Sequence, residues 1–79
     1  MAIELDPNHF EANLTYGRLL LLEGHPESAL PKLNRAVEVD PESSEAHGFL
    51  AVAYQRLGKL QDAERERARA AQLRAQPPE

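Results

Sequence analysis

Three histidines, thirteen carboxylates and nine basic residues are the groups in this 79-residue chain that can do chemistry. His9, His25 and His47 lie far apart, at a helix start, in a turn and within a helix. No His-Glu-x-x-His run sets two imidazoles on one helix face for a metal, and no carboxylate stands at a spacing that would orient a histidine as a general base. No glycine-rich loop offers backbone N–H groups to a phosphate, and no cysteine supplies a nucleophile, a disulfide or a thiolate ligand. Each histidine is therefore expected at the surface or at an element boundary. No catalytic residue, metal or cofactor is expected, and an enzyme is the weakest functional reading.

The arginines invite a second chemistry, the binding of nucleic acid. Arg65, Arg67, Arg69 and Arg74 crowd one stretch, but Glu64 and Glu66 alternate with them. Asp62 and Glu66 repel at i, i+4, which suits a solvated helix face better than a phosphate track. The net charge of −4 argues in the same direction. It is unevenly spread: nine acidic against three basic residues up to Glu45, then four against six from Ala46 onward. That polarity would favour head-to-tail contact between copies, although a solvated surface accounts for it as well. No apolar run approaches the ~18 residues that span a bilayer, the longest being Leu19 to Leu22. No signal-peptide pattern opens the chain. Neither nucleic acid nor membrane is expected as a partner, and a cytoplasmic location is the plainer expectation.

What must position these side chains emerges from a self-match. Ala2-Ile3-Glu4-Leu5-Asp6-Pro7 recurs 34 residues later as Ala36-Val37-Glu38-Val39-Asp40-Pro41. The register holds beyond the prolines: Glu11-Ala12 returns as Glu45-Ala46, Gly24 as Gly58, Ala29 as Ala63, and Arg35-Ala36 as Arg69-Ala70. A fixed period of this size marks stacked helix–turn–helix units. Apolar spacing and punctuation then predict four helices, over about 9–23, 26–40, 43–57 and 60–75. Asn8 with Glu11 reads as a capping pair for the first, and Ser43 or Ser44 caps the third. Gly24 and Gly58 stop the first and third helices, and Pro41 ends the second. Pro31, about one turn into the second helix, predicts a local kink or a loosened first turn.

The first helix is apolar on two sides. One stripe runs through Ala12, Tyr16, Leu19 and Leu20, another through Phe10, Leu14, Gly17 and Leu21. Both are expected to be covered. The second helix turns Ala29, Leu30, Leu33, Ala36 and Val37 inward; the third turns in Ala46, Leu50, Ala53, Tyr54 and Leu57. The fourth has only a thin inner stripe of Leu60, Ala63, Ala70 and Ala71, as suits the last element of a stack. Residues 1–7 read as the stub of a preceding repeat's helix, 8–41 and 42–76 as two repeats, and 77–79 as a disordered tail.

These residues resemble the tetratricopeptide repeat, whose motif runs W-x2-L-G-x2-Y, A-x3-F and P. The first copy reads Asn13-x2-Tyr16-Gly17-x2-Leu20, Ala29-x3-Leu33, Ala36, Pro41. The second reads His47-x2-Leu50-Ala51-x2-Tyr54, Ala63-x3-Arg67, Ala70, with Ala75 in place of the proline. Gly17 and Ala51 are the small residues that let paired helices approach. Asn13 and His47 stand where the tryptophan would, and Arg67 stands where a large apolar residue would pack beneath a following repeat.

The resemblance implies an all-α fold, two repeats forming four antiparallel helices in a right-handed α-solenoid. It also implies a non-catalytic scaffold that binds a peptide or helix in the groove formed by the first helix of each repeat. Carried onto this chain, the groove is lined by Glu11, Leu14, Thr15, Arg18, Leu21 and Leu22, then Glu45, Gly48, Phe49, Val52 and Arg56. The partner-binding residues expected from it are Leu14, Thr15, Arg18, Leu21, Phe49, Val52 and Arg56. The family's carboxylate clamp finds only Arg18 at its matching positions and is disfavoured; an apolar peptide or helix fits better. The same apolar residues equally suit core contacts, or a homodimer that buries them between two copies.

Overall fold

The computed structural model describes residues 9–75. They form four helices and, among these residues, no strand: α1 (Phe10–Leu22), α2 (Pro26–Val39), α3 (Ser44–Arg56) and α4 (Leu60–Ala75). The expected stub at 1–7 and tail at 77–79 lie outside the described residues. Each helix pairs with its neighbours in the chain; α1 also touches α3, whereas α4 packs against α3 alone.

Punctuation, more than helix propensity, sets the boundaries. Gly24 and Gly58 both take positive φ, 83° and 79°, a backbone region that costs glycine nothing. Around each, the same two hydrogen bonds close the helix. Gly24 N–H donates to the Leu21 carbonyl and His25 N–H to Leu20; one period later, Gly58 N–H donates to Gln55 and Lys59 N–H to Tyr54. This double bond pattern satisfies carbonyls that a helix end leaves without donors. Ser43 caps α3, its Oγ accepting from the Ala46 N–H at 3.2 Å. At α1 the cap is His9 rather than the expected Asn8, which lies outside the described residues. His9 Nδ1 accepts from the Ala12 N–H at 3.1 Å, which places that ring's proton on Nε2. Helix α2 runs unbroken through Pro31, an exposed residue, so the missing N–H falls on the solvent side.

The core is built from α1, α2 and α3. Leu14, Leu21, Ala29, Leu33, Ala36, Ala46, Leu50 and Ala53 form one buried cluster, with Phe10, Leu20, Leu30, Val37, Phe49 and Tyr54 packed against it. Leu33 is its centre, fully buried on the helix that contacts both α1 and α3. It fits because Gly17 has no side chain: a Cβ there would lie 2.5 Å from Leu33 Cδ2 and 2.6 Å from Cγ. Contacts that close force one atom or the other to move, and an enclosed leucine has nowhere to go.

Two of the expected inward stripes are corrected. On α1, Tyr16 and Leu19 are 44% and 47% exposed, although their 34-residue counterparts Leu50 and Ala53 are fully buried. The difference lies in the neighbour: α2 covers that face of α3, and no described helix stands in the same place beside α1. On α4, Leu60 is exposed and only Ala63 and Ala70 are buried.

Gly17→Ala tests this packing. Relieving glycine's helix penalty would stabilise the chain by about 1 kcal/mol, whereas overpacking against Leu33 costs about 1–3 kcal/mol. We expect a net loss, read as a lower urea midpoint with unchanged slope; a gain in stability would show that Leu33 is free to move.

Candidate partner-binding face

The expected groove residues separate into two groups. Thr15 and Arg18 on α1 and Val52 on α3 are exposed, and Phe49 is half-buried. Leu14 and Leu21 are drawn into the core instead, 7% and 4% exposed. They are enclosed because α2 and α3 close over the side of α1 that carries them, and they are not available to a partner. Arg56 is exposed, but its guanidinium is engaged: Nη1 donates to the carbonyl of Leu21. That carbonyl sits in the last turn of α1, where the helix dipole is negative, so a cation there is favoured electrostatically. Arg56 therefore ties the two repeats together from the rim of the face.

On α3, Glu45, Gly48, Phe49 and Val52 fall at i, i+3, i+4 and i+7 and share one side of the helix. With Arg74 from the last turn of α4 they line an open concavity of about 320 Å³. Its apolar walls are Phe49 and Val52; its polar rim is Glu45 and Arg74. Neither charged group, nor Arg18, makes an ion pair among the described residues. Arg74 is a lining residue that the groove pattern of first helices does not reveal, since it belongs to the second helix of its repeat. No group of three or more histidine and carboxylate side chains among the described residues is arranged to hold a metal ion.

His47 departs from its expected surface position. It is buried, and both ring nitrogens are engaged: Nδ1 lies 2.6 Å from Glu66 Oε1, and Nε2 lies 2.9 Å from the Pro41 carbonyl oxygen. Both partners are acceptors, so the arrangement is fully hydrogen-bonded when each ring nitrogen carries a proton. Asn13, the equivalent residue one period earlier, is also buried, and its Nδ2 donates to the carbonyl of His9 at 2.9 Å. At both copies the place of the motif's tryptophan holds a polar side chain that fastens its helix to the loop before it. The signal was present in the register, where both residues occupy a motif position, although their polarity suggested the surface.

Residues 20–79 match the tetratricopeptide repeat family. The chain belongs to that family. No curated protein matches it. Tetratricopeptide repeats generally mediate protein–protein interaction and typically serve as non-enzymatic scaffolds. None of the four helices among the described residues is long and apolar enough to cross a membrane.

Glu66→Ala should strip the buried imidazole of one partner and cost about 1–3 kcal/mol, the penalty for an unsatisfied buried polar group. Asp62→Ala, which removes an exposed pair with Arg65, should change stability by less than about 0.5 kcal/mol. Equal effects of the two in chemical denaturation would show that the His47 pair contributes nothing specific.

Proposed function

We propose that this chain is a protein-interaction module that receives a polypeptide partner on the side of α1 and α3 carrying Thr15, Arg18, Phe49 and Val52. The observation that carries this reading is the concavity beside Phe49 and Val52. It sets exposed apolar surface next to charges that make no ion pair among the described residues. A small chain does not gain stability from leaving Val52 36% exposed at the edge of a hollow; a partner's side chain gains by covering it. Arg74 at the rim of the concavity, and the exposed Arg18 on α1, then offer hydrogen-bond donors that a polar partner backbone or a carboxylate meets without full desolvation.

Placing a carboxylate on this wall should oppose binding while leaving the fold alone, because position 52 already faces water. Partners retained from cell extract by the immobilised native chain are expected to be lost from the Val52→Glu, Arg18→Glu double variant. Circular dichroism should meanwhile show unchanged helix content. Equal retention by the two proteins would remove the α1–α3 face as the docking surface.

Self-association is a second reading, favoured by a different observation. Among the described residues, the stripe of Ala12, Tyr16, Leu19 and Leu20 on the opposite side of α1 is less covered than its counterparts in α3, which are buried or half-buried. Lys32 shields part of it, its Nζ standing 5.2 Å from the centroid of the Tyr16 ring. Two copies packed through this stripe would bury it with two-fold symmetry. Light scattering after size exclusion should then give a dimer that Leu19→Glu converts to monomer; a native monomer at high concentration removes this reading.

A further inference from the structure

We propose that the hollow at Gly48 is a socket for one large aliphatic side chain of the partner polypeptide, with a single acidic residue beside it that pairs with Arg74. The inference rests on the groove reading above and names what the groove selects. It comes from comparing the two repeats position by position.

Gly48 is the counterpart of Leu14 one period earlier. In the first repeat that leucine is buried in the core cluster. The same backbone site in α3 has no side chain, and a Cβ built there meets nothing closer than Arg74 Nη2 at 3.9 Å. Part of the concavity is therefore the space that an aliphatic side chain takes in the sister repeat, left open here by glycine. Its remaining walls, Phe49 and Val52, keep it apolar.

The neighbouring positions show why another repeat of this type is a poor occupant. Leu33, the fully buried centre of the core, has Arg67 as its counterpart, and Leu21 has Gln55. Arg67 Nη2 donates to Gln55 Oε1 at 3.0 Å, an exposed polar contact laid where the first repeat presents two leucines. Covering it with an apolar helix face would desolvate a guanidinium without return. What remains attractive is local: one apolar hollow, bordered by a cation.

Arg74 itself replaces Asp40, a reversal of sign at the rim. It makes no hydrogen bond or ion pair among the described residues. Glu45 lines the same hollow without bridging to it, so the guanidinium is available to one partner carboxylate, and Glu45 repels a second.

The experiment uses the whole 79-residue chain, labelled with nitrogen-15, and three acetylated and amidated tetrapeptides: Ser-Leu-Glu-Ser, Ser-Leu-Lys-Ser and Ser-Ser-Glu-Ser. The first should shift the amides of Gly48, Phe49 and Val52 at millimolar concentration. The lysine peptide should bind about three- to fivefold more weakly, the scale of one exposed ion pair, and the peptide without leucine should leave them unmoved. Gly48→Leu fills the socket with the residue the first repeat uses, and leucine is the better helix former; it should keep the fold and abolish the shifts. Arg74→Gln should abolish the preference for the glutamate peptide over the lysine peptide. Shifts that survive Gly48→Leu, or that ignore the change from glutamate to lysine, overturn the socket. Shifts confined to Thr15 and Arg18 overturn it too but leave the groove standing, whereas silence on both faces removes the socket and counts against the groove. Shifts at Gly48 that depend on chain concentration without peptide assign the hollow to a second copy and overturn the proposal.

Discussion

The contact between Gly17 and Leu33 sets the terms for the rest of the molecule. Because α1 carries no side chain at that point, the fully buried leucine of α2 can lie against its backbone. The cluster of Leu14, Leu21, Leu50 and the alanines then assembles around it. Burial of a leucine contributes roughly 1.5–3 kcal/mol, a large share of what a chain of this size has in reserve. The second repeat cannot use this device, since Leu33 is replaced by Arg67 and Gly17 by Ala51. There α4 is held by alanines at the crossing, Ala51, Ala63 and Ala70, and by the pair of His47 with Glu66. A directional polar bond supplies in the second hairpin part of what a leucine supplies in the first.

This asymmetry explains how far the sequence alone reaches. Helix positions were legible because the signals are local and repeated. Gly24 and Gly58 stop two helices with the same pair of backbone bonds, Ser43 caps a third, and the 34-residue phrase fixes the phase. The buried members of α2, and Ala46, Leu50 and Ala53 of α3, were legible for the same reason, each set lying on a single stripe at helical spacing. Helix α1 was not, since its two apolar stripes are equivalent on paper. Which one is covered depends on where α2 and α3 lie, a tertiary fact that enclosed Leu14 and Leu21 and left Tyr16 and Leu19 outside. His47 was missed in another way. Its partner Glu66 is 19 residues away on the facing helix, and no spacing rule along one helix joins two such residues. The fold was thus readable to within a residue or two at its boundaries, and the candidate face only in part: its exposed members were named in advance, but not Arg74, which reaches it from the other helix of the hairpin.

The apolar stripe of α1 and the outer side of the α3–α4 hairpin differ in kind, and this bears on how two copies of the chain meet. Among the described residues, α1 presents Tyr16 and Leu19, large and apolar, and the α3–α4 hairpin presents Arg67 bonded to Gln55. Head-to-tail assembly would set the first against the second, burying a guanidinium under aromatic and aliphatic surface and gaining one weak contact in exchange. The charge imbalance between the two halves pulls toward such an arrangement, but exposed charges interact weakly and are screened beyond roughly 8–10 Å in physiological salt. Desolvation acts at contact and is not screened. Between a diffuse attraction and a local penalty, the penalty decides, so Arg67 and Gln55 oppose head-to-tail contact between copies. Divergence within one shared backbone register thus separates three surfaces among the described residues: an apolar stripe on α1, a polar contact between α3 and α4, and a face with an open hollow where glycine stands in place of leucine.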